Sequence, residues 1–119
     1  MRLAFQARDR TVAECDLIAG TGCPVGVILP EDLFHRLLFR EIPDIDTNFG
    51  LLVGGWLRLY MPNFGLVELI RGYGSDTVAD SSAREHPAFV GLVGLPVLRL
   101  GDYGGDADTF WFRYQPGSP

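Results

Sequence analysis

The chain has 119 residues, with ten basic residues against fifteen acidic ones for a formal net charge of −5. That length fits one domain, 1–119, with enough core to fold without disulfide staples, and the net negative field disfavours a nucleic-acid partner. No apolar run is long enough to cross a bilayer, and "MRLAFQARDR" turns polar too early for an export signal, so a cytoplasmic protein away from membranes is expected.

Every basic residue is Arg, which a GC-rich coding bias explains as readily as a need for guanidinium forks. Cys15 and Cys23 read as two reduced thiols. With seven residues between them and His35 and His86 far away in sequence, they match no zinc spacing, so neither metal nor cofactor is expected.

Taken in chain order, "RLAFQAR" alternates and reads as a strand, Asp9 and Arg10 as a turn, and "TVAECDLIA" as the returning strand of a hairpin. "GVIL" is a short strand. In "PEDLFHRLLF" the Pro, Glu and Asp suit the first turn of a helix, with Leu33, Leu37 and Leu38 on one face. "REIPDIDTN" is polar and interrupted by proline, so it reads as a loop. "GLLVGGWLRLY" and "GLVELIRGY", joined by "MPNFG", form a long hairpin, with Trp56, Arg58 and Tyr60 on one side of its first arm and Leu57 and Leu59 on the other. "GSDTVADSSAREHP" reads as a mobile loop or short helix, "AFVGLVGLPVLRLG" as an apolar segment, "DYGGDAD" as a turn and "TFWFRY" as an aromatic strand before a frayed tail. Many short strands and one or two short helices make this an all-β barrel or sandwich.

Several residue sets invite a chemical reading, and each has a plainer one. Asp102, Asp106 and Asp108 are spaced like calcium ligands but lack the closing glutamate of a calcium-binding loop, and read as a solvated turn. Asp44 and Asp46 read as solvated loop carboxylates. Ser81, Ser82 and His86 hold the ingredients of a triad without its glycine elbow. "GLLVGG" lacks the Lys-Ser/Thr of a phosphate loop. Trp56, Tyr60, Phe110, Trp111 and Phe112 are the makings of a platform for a peptide or base, but packing is the commoner role for such bulk.

The order of these blocks resembles the retropepsin-like aspartic protease family over most of the chain, from Arg2 to about Tyr114. "LIAGTGCPVGVILPEDLF" is similar to the family's strand, Asp-Thr/Ser-Gly turn, strand and helix. "GGWLRLYMPNFGLVELIRGY" occupies the flap region and "FVGLVGLPVLR" the hydrophobic-hydrophobic-Gly block with its helix. The resemblance implies a closed β-barrel with one or two short helices that is half of a two-fold dimer.

In the family the two carboxylates share a proton and activate a water. Here Gly20 stands where the catalytic Asp belongs, followed by the matching Thr21 and Gly22, so no catalytic residue is assigned. Thr21 would still lock the two turns together in a dimer. Asp16 lies about 13 Å back along an extended strand, too far to act on the same water. The resemblance therefore implies a non-catalytic homodimer that binds an extended peptide or protein ligand, with Trp56, Arg58, Tyr60 and Asn63 as cleft or flap residues. Two alternatives stay open: an active aspartic endopeptidase whose acid is unidentified or comes from a partner chain, and a structural domain with no cleft ligand.

Overall fold

In a computed structural model the chain is described over residues 1–20, 23, 25–47, 50–61, 65–85, 89–105 and 110–114, with backbone alone at 66, 82, 83, 85, 103, 105, 110 and 111. The elements are β1 (Arg2–Gln6), β2 (Val12–Ala19), β3 (Val27–Leu29), α1 (Glu31–Leu37), β4 (Arg40–Thr47), β5 (Gly50–Met61), β6 (Leu66–Gly74), α2 (Asp76–Glu85), β7 (Gly91–Val93), α3 (Leu95–Leu98), β8 (Gly101–Gly105) and β9 (Phe110–Tyr114). The mainly β class expected from the strand pattern is the one observed.

Strands run in the order β1-β2-β7-β3-β6-β5-β4, and β1 also pairs with β5, so six of the seven close into a barrel. The closing ladder matches Ala4 with Tyr60, Phe5 with Leu59 and Gln6 with Arg58. β5 is long enough to have two partners on one edge: Gly50 to Trp56 pair with β4, and Arg58 to Tyr60 with β1. Side chains alternate about the wall as period two demands. Leu57, Leu59 and Met61 are buried inside, whereas Trp56, Arg58 and Tyr60 face outward and are half-buried.

The barrel core gathers Phe5, Leu17, Val27, Leu29, Phe34, Leu57, Leu59 and Val93, all fully buried. Helix α1 closes on this core through Phe34, which rests against Gly74 and Gly55 of the β5–β6 hairpin. A Cβ at Gly55 would stand 2.9 Å from the Phe34 ring, so the helix can come this close only because the strand has no side chain there. The first free backbone amide of α1, Glu31 N–H, donates to Asp76 Oδ1 at 2.9 Å, which ties the start of α1 to the start of α2. At the far end, Tyr114 of β9 donates its hydroxyl proton to Glu68 Oε1 at 2.7 Å, holding the β8–β9 hairpin to β6. That carboxylate pushes the phenol's pKa up.

Two expectations need correction. Residues 40–47, read as a loop, form strand β4. Its register advances from Ile42 opposite Gly54 to Ile45 opposite Leu52, three residues against two, which is a β-bulge. The extra residue lets Ile42 and Ile45 share a face despite their odd spacing, and Pro43 sits in the bulge, where a missing N–H is tolerated. Second, Asp102 to Gly105, read as part of a turn, belong to β8 and pair with β9. The polar stretch after Gly74 holds helix α2, with Val78 and Ala79 buried.

Candidate functional site

Gly20 directly follows β2 at the point where three strands meet. β7 lies between β2 and β3, parallel to the first and antiparallel to the second, and β3 in turn runs parallel to β6. The Gly20 N–H donates to Val93 O at 2.8 Å, and its carbonyl accepts from Cys23 N–H at 3.0 Å, which folds the chain back on itself. The start of α3 is pinned to the same turn, since Gly94 N–H donates to Gly26 O at 2.8 Å and Leu95 N–H to Cys23 O at 3.1 Å. Gly94 has no room for a side chain: a Cβ there would lie 2.6 Å from Cys23 O. Among the described residues Gly20 does have room, because its Cβ would meet Cys23 Cβ at 3.4 Å and Val93 O at 3.9 Å, ordinary contact distances. Thr21 and Gly22 lie outside the described residues.

A second apolar cluster, separate from the barrel core, starts beside this turn. Ile28, Leu52, Tyr73 and Val78 are buried in it, with Cys23, Val25, Ile42, Ile45 and Leu92 packed around them. The β4–β5 hairpin thus lays its bulged face over the strands that lead away from Gly20. The far end of the hairpin projects beyond the wall: Gly50 turns with φ +92°, a left-handed value that favours glycine, and Leu51 is 62 % exposed. Val25 and Tyr73 also line an open groove of about 390 Å³, which continues to Trp56, Leu69, Arg71, Pro96 and Leu100.

Of the cleft or flap candidates, Trp56 lies in this groove. Arg58 stacks on Phe39 at 4.1 Å from the ring centroid, and Tyr60 lies further along the same outer face of β5. Asn63 lies outside the described residues. Reading the sequence missed Arg71, which stands over the Trp56 ring at 5.4 Å. Its only sequence signal is the period-two pattern with Val67 and Leu69, and the cross-strand register that brings it to Trp56 is not written in either strand alone. Also missed were Val25, Ile28 and Leu92.

The remaining candidates do not converge on Gly20. Asp16 accepts from Arg2 Nε at 2.9 Å and from Nη2 at 3.2 Å, and these bonds hold its carboxyl below the usual carboxylate range. Asp44 accepts from Gly54 N–H at 3.1 Å within the bulge, while Asp46 is exposed on β4. Asp102 pairs with Arg113 at 3.5 Å, and Asp106 and Asp108 lie outside the described residues. Ser81 is exposed on α2 and His35 exposed on α1, its ring edge-on to Phe34. His86 lies outside the described residues, as does the side chain of Ser82. Among the described residues, no cluster of three His, Cys, Asp or Glu side chains is arranged to hold a metal ion, and no helix is long and apolar enough to cross a membrane. The only titratable side chain of the described turn is the Cys23 thiol. No family model, curated protein or solved structure matches the chain.

Proposed function

We propose that this chain is a retropepsin-like domain that has lost its catalytic acid and works as a homodimer, holding an extended peptide or protein segment between the Gly20 turn and the β4–β5 hairpin, which takes the covering role that the resemblance gives to the β5–β6 hairpin. The observation that carries the reading is Gly20 itself: a residue without a titratable group directly follows β2 and is hydrogen-bonded to β7 at a three-strand crossing, with an apolar cluster beside the turn and an open groove that begins at Val25. General acid–base catalysis by a carboxylate pair is worth about 10²- to 10⁴-fold even before the attacking water is considered, and glycine contributes none of it. Binding of a strand-like ligand through main-chain hydrogen bonds and apolar contacts does not need the acid. Two unpaired thiols suit a reducing cytoplasm.

Sedimentation equilibrium and Gly20→Asp test the proposal together. The wild-type chain is expected to dimerise and to show no acid-optimum cleavage. In the dimeric variant the two new carboxylates should titrate in two separated steps, one of them raised, because like charges at close range cannot both ionise readily. A chain that stays monomeric at every concentration, or a variant whose two acids titrate independently at ordinary values, would sink it.

A further inference from the structure

The groove beside Trp56 has a charge character opposite to that of the whole protein. Arg40, Trp56 and Arg71 are direct cross-strand partners on β4, β5 and β6, so an indole sits in one row between two guanidinium-bearing residues. The next row places Arg58 opposite Leu69. From Trp56 to Tyr60 on β5, and from Val67 to Arg71 on β6, the outward positions hold no carboxylate, on a chain with fifteen acidic residues. Among the described residues the ion pairs are Arg2 with Glu14 and Asp16, and Arg113 with Asp102, so Arg40, Arg58 and Arg71 have no carboxylate partner there. Arg40 and Arg71 are exposed, and Leu69 presents 53 % of its surface to solvent. A guanidinium held over an aromatic ring keeps its fork of donors available, and that fork matches a carboxylate.

We propose that this groove selects an acidic extended peptide, with an apolar side chain seated between Trp56, Leu69, Pro96 and Leu100 and a neighbouring carboxylate meeting Arg71. The inference rests on the peptide-binding reading above and adds the class of ligand. Charge complementarity decides the class: the net charge of −5 repels an acidic segment, and at this face Arg40, Arg58 and Arg71 reverse that repulsion.

The test is isothermal titration of the full chain with the peptide acetyl-Val-Glu-Leu-Glu-Phe-Glu-amide, with the same peptide carrying Lys for Glu, and with 3-phenylpropionate. The acidic peptide is expected to bind, and to bind more weakly as salt is raised. Arg71→Gln should weaken it about tenfold or more, with Arg71→Lys in between and Arg10→Gln, in the exposed β1–β2 turn, without effect. A Lys peptide that binds as well as the Glu peptide would overturn the acidic preference while leaving peptide binding intact. Phenylpropionate matching the peptide, or an Arg71→Gln variant of unchanged affinity, would also overturn it. If neither peptide binds, this inference and the reading beneath it both fall.

Discussion

Gly20 and Gly94 flank the same backbone crossing, yet an added methyl group should affect them in opposite ways. At Gly94 the methyl would press on the carbonyl oxygen of Cys23, so Gly94→Ala should cost about 1–3 kcal/mol in urea unfolding. Among the described residues Gly20→Ala meets ordinary contacts, and it should change stability by less than about 0.5 kcal/mol. The two thiols should differ as well. Cys15 is buried and burial pushes its pKa up, while Cys23 is half-buried beside the turn. In a labelling time course with an aromatic disulfide, Cys23 should react first and Cys15 only as the chain unfolds. Because the folded-state pKa of Cys15 is raised, its contribution to stability is complete below the unfolded thiol value and is lost as pH rises through the folded one. Thermal melts should therefore show a loss on the alkaline side that Cys15→Ala reduces. At this scale strict alternation made the outward set of β5 legible, and the flanking motifs placed Gly20 between a strand and a turn, where it stands. Arg71 stayed hidden because its importance arises from the residue opposite it across the ladder.

The elements that escaped a reading of the sequence did so for identifiable reasons. Strand β4 has two buried-side isoleucines three apart, a spacing that breaks period two unless a bulge absorbs one residue. Asp44 stabilises that bulge by accepting the Gly54 N–H, and Asp44→Ala should cost about 1 kcal/mol by leaving a half-buried donor without its partner. Gly55 of β5 and Gly74 of β6 form the seat for α1. Phe34→Ala, which empties that seat, should cost about 3–5 kcal/mol in chemical unfolding, the usual range for a fully buried phenylalanine. A loss below about 1 kcal/mol would mean that α1 does not hold the hairpin. The hairpins at β1–β2 and β5–β6 were legible because turn residues separate two alternating runs. The parallel pairings of β2 with β7 and of β3 with β6 were not, since nothing local specifies a partner so far along the chain.

For the whole molecule, the barrel is closed by only three registered pairs between β1 and β5, whereas β5 and β6 match along nine. Because β5 changes neighbour between Trp56 and Arg58, its two halves answer to different parts of the protein. Strand β4 lies outside the ring and pairs with β5 alone, so it can peel and reseat while the six-strand ring stays shut. Amide hydrogens of β4 should thus exchange through small openings whose rate is indifferent to mild denaturant, and those of β1 only through events that break the ring. A visiting strand would then have a hinged cover over a fixed wall, and the time a ligand stays bound would be set by how often that cover lifts, independently of how firmly the rest of the fold is held.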